Sequence, residues 1–542
     1  MKRRHLMLSG LGLAGLPALA QAQGQTPPHA GHAPADPEAP VRGGTARIVV
    51  QEPPILTSAF ITTMNIGMVS SKILEGLVSY DLDLKPVPAL AQSWEVSADG
   101  LRITFHLRRN ARWHDGQPFT SADVRFTLLE VSKKLHPFGR AVFANVTAVE
   151  TPDPHSVTIV LSAPAPYLFN YINTYGAQIL PRHIYEGTDI LQNPANSAPI
   201  GTGPFRFKEW VRGSHVALER NADYWQEGKP YLDGILFRFI PDPVARSVAL
   251  EAGEIDVTIG SLIPVTSLRR FSDARKYTIN TEDGRFLASI FLAQINVRRP
   301  YLGDRRVRQA LSHAIDRAAL VRLVWQGYGK PATGPIPSSV SQYYARGNPQ
   351  EFDPRRAEQL LDEAGYRRGA DGRRFRINLV SGDGGSLESN RAGEFIKQAF
   401  ARIGVDLELV VEDPAAFLRR VYTDADYDIM TSSLHRLPDP TLGVQRLYWT
   451  KNIIKGAPWT NGSGYSNPEL DGIMEAAAGE GDVAKRKALI TRWQEIAQED
   501  SPILDLVELT WTTVSTARFR KERAQGDGMF AGLEDAWLAP AR

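Results

Sequence analysis

The sequence predicts an α/β protein built as two or three lobes, and three observations carry that expectation. Strand-like and helix-like stretches are interspersed along the chain rather than segregated. The chain has 542 residues, 43% of them hydrophobic, enough to bury more than one core. Neither an internal repeat nor a run of like charges breaks the pattern.

Taken in order, residues 1–22 read as a signal peptide. "MKRRH" supplies the charged start, "LMLSGLGLAGLPALA" the apolar stretch, and small residues offer cleavage after Ala20 or Ala22. A membrane anchor would need a longer apolar run than one rich in glycine and broken by Pro17. Arg3 and Arg4 leave the Sec and the twin-arginine export routes both open. Gly10, Gly12 and Gly15 match a dinucleotide-binding spacing, but no strand precedes them, so that reading is discarded. Residues 23–42, rich in Pro and Ala without a hydrophobic period, are expected to form a disordered leader. His29 and His32 within it lack the supporting ligands of a metal site.

Folded structure is expected from "GGTARIVV" (43–50) onward. Alternation in "RITFHL" (102–107) and "HSVTIVLS" (155–162), and apolar runs in "FRINLV" (375–380), "VDLELVV" (405–411) and "YDIMTSS" (427–433), read as strands. Helix signals lie between them. Thr120 caps 120–133, with Asp123 at the capping-box position. Asp304 caps 304–321, a single helix with Val307, Ala310, Leu311, Ala314, Ile315 and Ala318 on one face. Residues 352–366 combine Asp353 as cap, Pro354 at the first helical position and Gly365 as the stop. A further helix at 484–498 precedes one last strand-like stretch, "ILDLVELTWTTVST" (503–516).

Lys plus Arg (62) nearly balances Asp plus Glu (60), which argues against nucleic acid or an anionic membrane surface as a partner. Removing residues 1–22 takes away Lys2, Arg3 and Arg4 and no acid, leaving the remainder with one net negative charge. The chain has no cysteine, which excludes disulfides, thiolate metal sites and a lipidated N-terminal cysteine. An exported protein with no anchor is retained only behind an outer membrane, so the periplasm is the expected compartment.

No catalytic constellation stands out: there is no H-E-x-x-H, no Walker loop and no G-x-S-x-G, and "NGSGYSNP" around Ser463 reads as a turn. His106 on a strand and His114 in a turn do not read as joint ligands. "IGTGPF" (200–205) is a glycine turn before a strand, with no helix N-terminus to bind phosphate. Trp94, Trp113, Trp225 and Trp493 read as packing residues. Neither an enzyme nor a bound cofactor is expected.

Three stretches go further: "ILEGLVSYDLDLKPVPALAQSWEVSADGLRITFHLRRNARWHDGQPFTSADVRFTL" (73–128), "IGTGPFRFKEWVRGSHVALERNADYW" (200–225) and "DRRVRQALSHAIDRAALV" (304–321). Together they resemble the extracytoplasmic solute-binding proteins, family 5, of peptide, nickel and opine ABC importers. The similarity also takes in "FDPRRAEQLLDEAGY" and "GYSNPELDGIM". It implies the two-lobe periplasmic-binding-protein fold, closing like a clamp about a hinge. Lobe 1 would span 43–284 with an extra subdomain at about 77–199, lobe 2 would span 285–504, and 505–542 would return to lobe 1. The implied function is capture of a peptide or related small amino-acid-derived ligand by a monomer, for delivery to an ABC permease driven by an ATPase. A nickel-chelate binding protein, a periplasmic hydrolase, and a chaperone or sensor are the alternatives.

"SSLHRLPDP" (432–440) bears on the ligand. In the peptide-binding relatives an aspartate four residues before that last proline pairs with the peptide ammonium, and a tryptophan lies three residues earlier. Counting back from Pro440 puts Arg436 and Ser433 at those positions. The resemblance then implies an anionic or zwitterionic, opine-like ligand held by Arg436, with His435 adding a donor. The competing reading pairs Arg436 internally, with Asp439 or another acid, or points it to solvent. Segments 62–68 and 173–177 would also face the cleft, adding Thr62 and Tyr175. The candidate ligand-binding set is Arg436, His435, Ser433, Thr62, Tyr175 and Asp439, with no metal ligand.

Overall fold

Two mixed sheets organise the chain in the computed structural model, which describes residues 39–61, 63–137, 139–347, 350–382, 386–521 and 525–540. The expected signal peptide and most of the expected leader, with His29 and His32, lie outside the described residues, as does Thr62. The first sheet runs in the order Tyr277–Asn280, Thr513–Thr516, Val257–Thr258, Thr45–Val50, Gly234–Phe239, His215–Arg220, Phe205–Val211. The second runs Gly329–Pro331, Ile503–Leu509, Ala288–Ile295, Ile429–Arg436, Phe375–Ser381, Val405–Val410. A separate antiparallel sheet, Ala91–Val96, Arg102–Leu107, Ser156–Leu161 and Val146–Asp153, adds to the first lobe. Within the second sheet the parallel pair Phe375–Ser381 and Val405–Val410 is joined by the helix Leu387–Arg402, as parallel neighbours require. The central strand Ala288–Ile295 is buried at every position, which explains an apolar run without alternation.

Local signals act as their chemistry dictates. Asp123 accepts the Thr120 backbone N–H at 2.9 Å, and Asp353 accepts those of Arg355 and Arg356, both at 3.0 Å. Gly365 closes its helix at φ +90°. Elsewhere the structure departs from the expectation. Residues 304–321 form two helices, Arg305–His313 and Arg317–Val324, because Asp316 accepts the Ala319 N–H and starts a new one. Ala318 is consequently exposed rather than on the buried face. The helix after Thr120 passes into a π-helical segment, Thr127–Ser132.

The last strand-like stretch also divides: Ile503–Leu509 belongs to the second sheet and Thr513–Thr516 to the first. The chain therefore passes between sheets at 281–287 and returns at 510–512, rather than near 505. Trp511 ties the two crossings together. Its indole N–H donates to the Leu287 carbonyl at 3.1 Å, and a Cβ on Gly284 would fall 2.3 Å from its ring. Gly284→Val should push the indole out of this slot and cost about 1–3 kcal/mol. Urea denaturation checks this; an unchanged midpoint would mean the two crossings do not depend on each other.

Candidate functional site

The carboxyl end of the strand Ile429–Arg436 lies beside the first crossing, opposite Ala288. The lobes touch in this structure. The turn Pro166–Asn170 of the first meets the helix Pro468–Gly479 of the second, and one continuous apolar cluster holds side chains of both, from Ile48 and Tyr175 to Leu434 and Tyr448.

Arg436 is the last residue of its strand and not, as expected, the start of the turn after it. Its side chain is 0% exposed. Nε donates to the Pro335 carbonyl at 3.2 Å, and Nη2 lies 3.6 Å from Oδ1 of Asp505, an ion pair too long for a good hydrogen bond. Neither Nη1 nor Nη2 of Arg436, nor Oδ1 of Asp505, finds a hydrogen-bond partner among the described residues. Burial pushes the Asp505 carboxyl up to about 6 despite the opposing pull of Arg436 and Arg317, and burial likewise lowers the Arg436 guanidinium. The acid beside Arg436 is thus not Asp439 but one from a different strand, Ile503–Leu509.

Asp439 is also fully buried, in a bidentate pair with Arg486 at 2.7 and 3.0 Å. It also accepts the Thr441 N–H at 2.9 Å, capping the turn Pro440–Gly443. Ser433 and His435 leave the strand on the face opposite Arg436, since side chains alternate. Phe291, across from Ser433, packs with the helices of the second lobe, whereas Leu434 and Ile290 join the cluster that spans both lobes. His435 Nδ1 lies 2.7 Å from Ser289 Oγ, and its ring centroid is 5.9 Å from that of Trp511. The sheet thus separates Arg436 from Ser433 and His435. Tyr175 does reach the junction, its ring 4.4 Å from Phe530 and 6.0 Å from Phe286 of the first crossing.

One residue went unnoticed in the sequence. Arg446, on the short turn Gln445–Leu447, is partly exposed, and its Nη1 donates to the Trp459 carbonyl at 2.6 Å. No carboxylate pairs with it among the described residues; its electrostatic neighbours are Arg436, Tyr422 of its own lobe and Tyr175 of the other. Burial and the like charge of Arg436 pull its pKa down to about 10. Trp459 holds φ +62°, a left-handed conformation a tryptophan adopts only under constraint, and stacks on Phe417 while meeting Tyr422 edge-on. A signal was present: residues 440–468 contain Arg446, Lys451 and Lys455 and no acid.

Two motifs set aside in the sequence have structural explanations. In "IGTGPF" a Cβ at Gly201 would fall 1.8 Å from the Ile73 carbonyl oxygen, so the glycine serves a close backbone approach. His114 Nδ1 accepts the Gly201 N–H at 3.2 Å while Nε2 faces the Gly203 carbonyl at 3.0 Å. Burial holds that imidazole neutral, with its pKa down to about 4.

The bacterial extracellular solute-binding proteins, family 5 (middle region), match residues 85–456. The chain belongs to that family. A Brucella ovis protein named for peptide binding in an ABC transporter is 30% identical over 462 residues, covering 82% of this chain and 81% of that one. The glutathione-binding protein GsiB of Pectobacterium atrosepticum is 27% identical, covering 87% and 89%. The substrate-binding protein CtaP of Listeria monocytogenes superposes with a TM-score of 0.80 at 26% identity, covering 92% of this chain and all of its own. The family is one of solute-binding proteins of ABC importers. No helix among the described residues is long and apolar enough to cross a membrane.

Proposed function

We propose that this protein is the periplasmic binding component of an ABC importer. It captures a peptide or a related amino-acid-derived ligand between its lobes and hands it to a membrane permease powered by a separate ATPase. It acts as a monomer and catalyses no reaction. The observation that carries the reading is the pair of crossings: a ligand touching both of the lobes they connect would favour a closed arrangement over an open one. The names of the Brucella and Pectobacterium relatives support an amino-acid-derived ligand. Arg436, fully buried against Asp505, serves the second lobe in this reading rather than the ligand.

Native mass spectrometry of the protein purified gently from periplasm, with release and identification of the bound small molecule, tests it. Adding that molecule back at about a hundred times its Kd should stabilise the fold by about 2.7 kcal/mol. Release of a chemically altered molecule would favour a hydrolase. Tight binding of nickel with free histidine, and of no peptide, would favour a chelate carrier.

A further inference from the structure

Two arginines near the junction between the lobes share a single carboxylate among the described residues. Arg436 and Arg446 are electrostatic neighbours, and the one carboxylate that pairs with either among the described residues is Asp505, 3.6 Å from Arg436. The Trp459 carbonyl takes one N–H of Arg446 and supplies no charge. The Tyr422 phenol stays neutral, since burial raises its pKa. A guanidinium has five N–H donors in a planar fork that matches two carboxylate oxygens. Unlike Arg436, Arg446 is partly exposed and so within reach of a ligand.

We infer that Arg446 holds a carboxylate of the transported ligand and closes it against Tyr175 of the opposite lobe, so that the solute is one bearing a free carboxylate. The inference rests on the capture reading above and adds the anchor and the chemical class. Tyr175 and Arg446 come from different lobes, so a carboxylate lodged between them also rewards closure. The constrained Trp459, whose carbonyl orients Arg446, keeps the fork from turning away. Lysine would supply the charge without the planar fork.

Isothermal titration of the full chain with matched probes tests this: trialanine as the free acid and as its C-terminal amide, and glutathione as the free acid and as the diamide in which both carboxyl groups are amidated. The free acid should bind at least 30-fold tighter than the amide in one pair or both. Arg446→Gln should weaken the acid at least 30-fold and bring acid and amide together, while Arg446→Lys retains part of the preference. Circular dichroism melts establish that the variants are folded, and the acid-to-amide ratio of the unaltered protein is independent of any variant. Acid and amide binding within threefold of each other, or a preference unchanged in Arg446→Gln, overturns the inference and leaves capture standing. If none of the four probes binds, the molecule carried from periplasm decides. One with a carboxylate that is lost on Arg446→Gln supports the inference, one with no acidic group overturns it alone, and no bound molecule at all overturns it together with the capture reading.

Discussion

Arg436→Met is expected to destabilise the protein by about 3 kcal/mol at pH 8 and by far less at pH 4, because it strips Asp505 of a buried partner. The sign follows from the acid. Asp505 is raised to about 6 in the folded protein, above its unfolded value, chiefly by burial; Arg436 and Arg317 oppose that rise and Glu508 adds to it. A carboxyl raised in this way stabilises the fold below its unfolded pKa and loses that contribution as pH climbs through the folded value. In the unaltered protein the loss runs from about pH 4 to about pH 6. Without Arg436 the folded pKa moves higher still, so the loss continues above pH 6 and the penalty widens. Thermal or urea denaturation at pH 4.5, 6 and 8 reads this directly. A penalty equal at all three would mean that Arg436 matters for volume alone. Arg436→Met combined with Asp505→Asn should recover most of the stability at pH 8, since a buried pair replaced as a whole costs little.

Arg486→Met is expected to cost about 4 kcal/mol, with Asp439→Asn close behind, since either leaves a buried charge alone. The pair does more than neutralise itself. Arg486 stands on the helix Val483–Asp500 and reaches Asp439 just past the strand Ile429–Arg436, with Thr441 Oγ1 at 3.1 Å and the Tyr343 hydroxyl also accepting from it. It therefore clamps the outer helix of the second lobe to the turn that follows the strand. Because the pair is buried, the effect should change little between low and high salt, unlike that of an exposed ion pair. Urea denaturation at two ionic strengths separates the two; a cost that vanishes in salt would contradict the burial.

What the sequence determined by itself is what neighbours along the chain decide. Asp353, Pro354 and Gly365 bound their helix through contacts within a few residues, and the strands at 375–381 and 405–410 follow from apolar stretches whose alternate residues are buried. The long quoted stretches carried the family, and the two-lobe fold with it. Local signals were weakest where an element breaks for a distant reason. Residues 304–321 and 503–516 each read as continuous, yet the first restarts at Asp316 and the second changes sheets at the crossing.

The tertiary structure alone decided the roles of the charged residues around "SSLHRLPDP". Arg436 meets Asp505 and Asp439 meets Arg486, each across strands or helices far apart in the chain, and no spacing rule encodes such pairs. It also put Ser433 and His435 on the face of the sheet away from Arg436, and gave Arg446 a backbone carbonyl and no carboxylate among the described residues. The reason is physical. A desolvated charge is governed by whichever opposite charge the fold brings within a few ångströms, so burial and partner, not residue type, determine whether an arginine holds a lobe together or waits for a ligand.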